Sequence, residues 1–481
     1  MRWVVLILMW VAAASAVAQE TWLQSEFRRE GEHVKGACGT FSIKTVGGCA
    51  IELFTDHPLH IAAGSIAPQN GFGLGGAFVA HHTPNESWRI SWSMDAVGST
   101  NGSWRAGGYV KFIHTPVKNI VVIKPKATKP GETSAPASPA ISVPRPNLAI
   151  EPSAVFNLYA QTISLNKLNF FGLGNDSVAG DQSVFGMRET ILGASAIKPV
   201  TEWPAISGLH LSLVGEINGR FVDVRGNHSE SSPSIEQIYD EATAPGLATQ
   251  PAFMQLGEGV RIKPSLFDNH LQLNYQANFQ QYFAPSNSHY SFLRWTVDLG
   301  NTFNLYGHTE SGPRDANGPN DCRLSLNDDK CPDVNYSRNL NGSIGVRFLL
   351  SESMTSGSSV VPFYFQPTLG GSDINGASAL GSYQDYRFRG PNVFLLRESF
   401  EHSIWGPFGF TFMADQGKVA LARGDIGFDH LKHSFATGFT IRAGGFPMIS
   451  FMYAWGGNEG DHKIFNMNTS LLGGSARPRL D

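Results

Sequence analysis

Four sets of residues in this 481-residue chain have types and spacings that chemistry could use. His402-Ser403 and His433-Ser434 are adjacent Ser–His pairs, the side chains of a hydrolytic nucleophile and its base. Neighbours on a strand point to opposite faces, so neither pair works as a unit within one strand, and an enzyme is not expected. Cys38 with Cys49, and Cys322 with Cys331, are two local pairs. In an exported chain they read as two short disulfide loops, and neither has His at the spacing of a zinc site. Asp321, Asn327, Asp328, Asp329 and Asp333 crowd the second loop, but not at the spacing of a calcium loop, so a solvated loop without metal is expected. The fourth set is Arg387 and Arg389, at the end of a glycine-rich stretch, and Asp415, beyond the next tight turn.

The elements that position this last set lie in Leu369–Ala422. A polar, glycine-rich loop, residues 370–391, ends at Arg389-Gly390. A strand follows over Asn392–Phe400, then a Trp405-Gly406-Pro407 turn, then a strand over Phe408–Ala422. Phe408, Phe410, Phe412 and Ala414 share one face of that last strand; Gly409, Thr411, Met413, Asp415 and Gly417 share the other. Such period-two alternation marks a strand between two different environments. If the aromatic face meets lipid, Asp415 meets a lumen into which the loop folds. A half-buried carboxylate there needs a cation or donors.

Composition limits the alternatives. Charged residues are 16% of the chain, below the roughly 25% of soluble domains. Glycine (52 residues) and aromatics (11%) are abundant, and a net charge of −4 gives no reason to expect nucleic acid as a partner. Met1-Arg2, the apolar run from Trp3 to Ala14 and Ala16-Val17-Ala18 read as a signal peptide, residues 1–18. No later stretch has the ~18 uninterrupted apolar residues of a membrane helix. An exported chain without such helices can still span a membrane as a closed barrel.

Read in order, residues 19–68 are a short periplasmic segment and residues 69–474 a barrel. Strands are expected near 72–80, 88–96, 104–112, 153–164, 183–197, 207–221, 252–263, 270–280, 293–305, 337–350 and 360–369, then in Leu369–Ala422 and three times more to residue 471; the segment 183–197 alternates poorly and is a strand only by its place among the others. That makes about sixteen, an even number as single-chain bacterial barrels have. Residues 124–146, with six prolines, read as an extended surface loop; a domain linker would have the same composition. Counting from Phe72 puts the long segments 116–148, 307–333 and 370–391 outside the cell, with 223–250 in the periplasm as the exception. Many strands reach ten residues or more, close to the 9–11 that cross a bilayer, against about 5–6 in soluble sheets. The polar faces carry Gln, Asn, Ser, Thr and Arg, as a hydrated lumen would. The expected fold is all-β, a transmembrane antiparallel β-barrel of about sixteen strands in the outer membrane, with membrane lipid as its first partner.

The stretch Leu369–Ala422 also resembles the BamA-type superfamily, the bacterial surface antigen barrels that include TamA and two-partner secretion transporters. The resemblance rests on a Leu-Gly-Gly strand end, a loop ending Tyr383…Arg387-Phe388-Arg389-Gly390, a strand with Glu398, a Trp-Gly-Pro turn and the Asp415-x-Gly417-Lys418-Val419 strand. Phe170-Phe171-Gly172-Leu173-Gly174-Asn175-Asp176-Ser177 adds a further similar segment. It implies sixteen strands, with the sixth extracellular loop entering the lumen so that an Arg near its tip meets an Asp on the wall. Here the tip reads Leu380-Gly381-Ser382-Tyr383, with Gly381 where the family has Arg. Arg387 or Arg389 is therefore expected to supply the charge to Asp415, with Tyr383 packing as the loop tip; the alternative is that lumen water solvates Asp415 and the two arginines sit at the barrel mouth. Residues 19–68 have no room for the POTRA modules that receive client chains in this family. The implied function is outer-membrane protein assembly or translocation, with other outer-membrane proteins as partners; a passive pore for small solutes is the alternative, and no cofactor is expected.

Overall fold

The computed structural model describes residues 59–85, 87–115, 154–200, 211–228, 231–267, 270–312, 336–405, 408–443, 446–467 and 478–480. The expected disulfides, Cys38 with Cys49 and Cys322 with Cys331, lie outside the described residues, as do the signal peptide and the acidic loop. Sixteen strands form one antiparallel meander: β1 Leu59–Ser65, β2 Phe72–Asn85, β3 Trp88–Ser99, β4 Trp104–His114, β5 Ala154–Phe170, β6 Ser183–Val200, β7 Leu211–Gly226, β8 Phe253–Ile262, β9 Leu271–Phe283, β10 Phe292–Gly312, β11 Tyr336–Met354, β12 Asn392–Trp405, β13 Phe408–Ala420, β14 Lys432–Ala443, β15 Phe446–Trp455 and β16 His462–Met467. Ser265–Leu266 prolongs the β8 side of the ladder against β9. Each strand pairs with the next in sequence. No ladder between β16 and β1 is among those of the described residues. Ser65 at the end of β1 and His462–Ile464 in β16 nevertheless line the same central cavity, which the sheet encircles.

The alternation in the sequence sorts into outside and inside. Asn274, Gln276, Asn278 and Gln280 of β9 line the cavity, as do Arg294, Thr296 and Asp298 of β10. Outward, Leu192, Phe221, Phe303, Phe412, Phe439 and Phe451 stand exposed, Leu192 at 60% and Phe439 at 59%. Water-soluble monomers rarely present contiguous apolar patches of more than a few hundred Å². An apolar band running round a polar interior fits hydrocarbon outside and water inside. β5 and β6, of 17 and 18 residues, are longer than a bilayer crossing needs. At one end of the sheet an exposed pair joins β6 to β7, Arg188 Nη2 to Asp223 Oδ2 at 2.9 Å. Arg423 with Glu352 is a second rim pair at that end.

Two corrections to the strand reading cancel in the count. The sheet begins at Leu59, not after residue 68, and so starts soon after Cys49 in the chain: β1 pairs with β2 from Leu59↔Phe78 to Ser65↔Phe72. Its sequence, LHIAAGS, is small and apolar and shows no alternation. The expected strand at 360–369 is instead a single 3₁₀ turn, Phe363–Phe365, and a two-residue strand, Thr368–Leu369. Pro362 and Pro367 have no N–H to give a ladder.

The extra strand at the start reverses which end each early connection lies on. Residues 116–153 and 313–335 connect strands at the end opposite 355–391, while 227–252 lies at the same end as 355–391. The strands that flank 116–148 and 307–333 are joined at the end opposite the lid and those that flank 223–250 at the lid end; residues 116–148 and 313–333 themselves lie outside the described residues.

A core of buried aromatic side chains lies inside the cylinder at the lid end. Phe363 and Phe365 insert edge-on among Phe170, Phe185 and Phe253, with centroids 4.9–5.2 Å apart. Tyr282 stacks on Phe292 at 4.3 Å. Each such pair adds about 0.5–1.5 kcal/mol beyond the area it buries. The buried Arg294 lies over both rings of the stack and donates to the Phe365 carbonyl, fixing the turn to the wall.

Candidate functional site

The connection between β11 and β12, residues 355–391, is the sixth on its end of the sheet and runs into the cavity. Its neck is a two-stranded ribbon, Thr368↔Arg389 and Leu369↔Phe388. Gly370 and Gly371 follow with φ of +99° and +61°. A Cβ on Gly371 would stand 2.5–2.7 Å from Asp385 atoms, so only glycine fits this bend. Beyond it, Asp373 Oδ1 accepts the N–H groups of Asn375 and Ala377, closing a tight turn. Burial raises the Asp373 carboxyl above the usual range, and does the same to Asp385, whose Oδ1 accepts the Ser372 N–H at 2.8 Å.

The lid is held at three places. The first is Asp415, 5% exposed in β13. Arg397 in β12 lies directly opposite it and donates from Nε to Oδ1 at 2.7 Å and from Nη2 to Oδ2 at 2.9 Å. Asp415 Oδ2 also accepts the Leu380 backbone N–H at 2.8 Å, and Arg397 Nη2 donates to the Ser378 carbonyl. Leu380 takes φ +53°, a conformation that is strained for a branched side chain, and its full burial and this hydrogen bond hold it there. Next along the loop, the Ser382 N–H donates to Ser434 Oγ at 2.9 Å. Gly381 lies tight against β15 and β16: a Cβ there would be 2.5 Å from Ile464 and 3.2 Å from Ala454.

The second place is Arg387, 3% exposed. Its Nε reaches both oxygens of Glu459 at 2.7 and 2.9 Å, and its Nη1 and Nη2 reach the hydroxyl and carbonyl of Ser177 at 2.8 and 2.7 Å. The guanidinium carbon lies 4.9 Å from the Phe171 ring centre and 4.7 Å from that of Phe388. The third is Arg389, whose Nη1 donates to the Phe363 carbonyl at 2.8 Å while its own carbonyl accepts the Gly174 N–H at 2.7 Å. Burial lowers the Arg389 guanidinium to about 10, which leaves it charged at neutral pH. The β5–β6 connection, containing Phe171–Ser177, is thus a second layer clamped onto the lid.

The four lid residues named from sequence are all buried, and they do not form the contact expected of them. Asp415 does meet the lid, through the Leu380 backbone, but its cation is Arg397. Arg387 and Arg389 engage Glu459 and backbone carbonyls instead. Tyr383 packs in the lid, with its ring 5.0 Å from Phe388 in a cluster with Leu369, Leu380 and Leu395. Sequence reading missed Arg397 and Glu459, and named Ser434 only as the neighbour of His433 and not for its contact with the lid. Arg397 was findable by counting register through the Trp-Gly-Pro turn and allowing for a bulge; Glu459 and Ser434 had no local signal. Glu398, one residue on, stands exposed on the outer face opposite Ala414. Ser434 serves the lid rather than His433. No group of three or more His, Cys, Asp and Glu is placed to hold a metal among the described residues.

The fold, its apolar exterior and its folded-in loop define an outer-membrane β-barrel with an internal lid. No protein-family model matches the chain, and no curated sequence matches it. Solved structures are similar to it at low identity. They include CdiB from Acinetobacter baumannii, at 9% identity and TM-score 0.45, covering 84% of this chain and 58% of that one. BamA from Haemophilus ducreyi lacking POTRA domains 1–3 is similar at 9% identity and TM-score 0.44, with 85% and 68% covered. CdiB from Escherichia coli follows at 9% identity and TM-score 0.46, with 85% and 62% covered. The chain therefore spans less than two thirds of the length of either CdiB chain.

Proposed function

We propose that this chain is a barrel of the BamA-type superfamily that works in outer-membrane protein assembly or translocation, with the lid as a fixed plug. The observation that carries the reading is the lock at Asp415, where one buried carboxylate joins β12, β13 and the lid backbone. A passive pore gains nothing from a loop held by three buried anchors, whereas a barrel that handles chains at its wall needs a sealed lumen. The reading assigns no catalysis. Its test is to deplete the protein from cells and quantify folded, heat-modifiable barrels and exported surface proteins in the outer membrane. A fall in a defined subset is expected; unchanged levels of all of them overturn the reading.

The pore reading has one observation in its favour. A cavity of about 1770 Å³, lined by groups such as Arg105, Glu216 and Gln276, lies beside the lid. Single-channel recording separates the two: brief, irregular openings are expected of a plugged barrel, and steady high conductance would favour the pore.

A further inference from the structure

Residues 478–480 follow the last strand, yet they lie inside the barrel against the lid. Leu480 is 5% exposed and belongs to the core cluster at the lid end, with Ile374 of the lid packed against that cluster. Its backbone is read twice by one side chain: the Leu480 N–H donates to Asn375 Oδ1 at 2.9 Å, and Asn375 Nδ2 donates to the Leu480 carbonyl. The preceding carbonyl, of Arg479, accepts from Arg220 Nη2 at 3.0 Å. Arg220 is fixed before it meets this segment. Its Nη1 reaches Glu189 at 2.8 Å, and its Nε reaches Gln255 at 2.6 Å and Asn218 at 3.2 Å. Asn375 is likewise fixed, by the Asp373 turn. The Arg479 guanidinium is near enough to Asp373 to favour that carboxylate's charge.

These groups have the chemistry of a peptide-binding site. An amide that offers both a donor and an acceptor pairs with a backbone in the way a neighbouring strand would, and a guanidinium takes the next carbonyl. An apolar pocket takes one side chain. Nothing in the arrangement reads the rest of the sequence. We propose that Asn375 and Arg220 form a lumenal site for an extended polypeptide with an apolar residue at the Leu480 position, and that residues 478–480 occupy it as an internal ligand pinning lid to wall. The inference stands on the barrel and its lid, independently of the assembly reading.

The test uses purified barrel in detergent and a fluorescent, C-terminally amidated peptide of residues 475–480, Ser-Ala-Arg-Pro-Arg-Leu, followed by anisotropy. The full chain should bind it weakly, because its own segment fills the site. A barrel lacking residues 475–481 should bind it, and should reject the same peptide with Asp in place of Leu. Adding Asn375→Ala removes two hydrogen bonds and should weaken binding about tenfold or more. Heat-dependent gel migration checks that each variant is folded. Should the shortened barrel fail to fold, full-length Leu480→Asp, which loses only the apolar anchor, takes its place. No binding to the vacated barrel, binding indifferent to Asn375→Ala, or equal binding to the full chain would each overturn the proposal.

Discussion

Two walls of the lumen grip two segments with the same device used in opposite senses. On the β12–β13 wall, Arg397 and Asp415 lie directly opposite each other, and the carboxylate takes a backbone N–H of the lid. On the β6–β7 wall, Glu189 and Arg220 sit diagonally, since Arg220 opposes Ile191, and the guanidinium gives to a backbone carbonyl of residues 478–480. In both places a buried ion pair is already complete on the wall, and one of its members has a hydrogen-bonding position left for a visiting backbone. A charge held in this way stays in one rotamer and is desolvated once, when the barrel folds. The difference lies in what each wall can hold. The carboxylate wall secures a loop covalently bracketed by β11 and β12, while the guanidinium wall holds only three described residues.

The comparison predicts that damage on the carboxylate wall costs more. Asp415→Ala strands Arg397 and the Leu380 N–H, and breaking one half of a buried pair typically costs about 3–5 kcal/mol. The temperature at which the unheated gel form converts to the heated form should drop, and open-channel time should rise. A cycle with Arg397→Ala should be strongly non-additive, whereas Asp415→Ala with Arg387→Ala should be near additive. If Arg387 rather than Arg397 couples to Asp415, the observed pairing is wrong.

A smaller loss is expected from Arg387→Lys. Lysine keeps the charge near Glu459 and reaches one of the two Ser177 oxygens but not both, and a hydrogen bond to a charged group is worth about 1.5–3 kcal/mol. Protease accessibility of the lid should rise with no change in the barrel's conversion temperature. Smaller again is Gly381→Ala, where the new methyl must displace the Ile464 side-chain end; overpacking of this kind costs about 1–3 kcal/mol. It should loosen the lid at β15–β16, and a neutral result would show that this wall yields.

The smallest effect is a pH dependence. Asp373 and Asp385 have carboxyls raised by burial above their ordinary 3.8, so the closed lid binds their protons more tightly than the open one. The stabilisation is therefore complete below about that value and is lost as pH rises through the raised pKa of each group. Channel openings should be rarer in acid than at neutral pH, and Asp385→Asn should flatten the dependence. Openings that become more frequent in acid would contradict the sign.

The sequence determined the wall. Alternation such as that of β9 and β13 assigned lumen and lipid faces, because a barrel strand separates two solvents and each residue faces only one. It put Asp415 inside and marked 370–391 as the loop that enters. It did not show β1, whose LHIAAGS lacks a polar face, and without β1 the ends of several loops were exchanged. Nor did it give Asp415 its partner. Counting back through the two-residue Gly406-Pro407 turn opposes Asp415 to Glu398, a pairing of like charges. The ladder slips by one residue between Ser403 and Trp405, which brings Arg397 opposite Asp415 and turns Glu398 outward. A one-residue bulge reverses the face of every side chain beyond it. That slip, like the meeting of Arg387 with Glu459 and of Arg220 with Arg479 across long stretches of chain, depends on how the whole sheet curls around its lid.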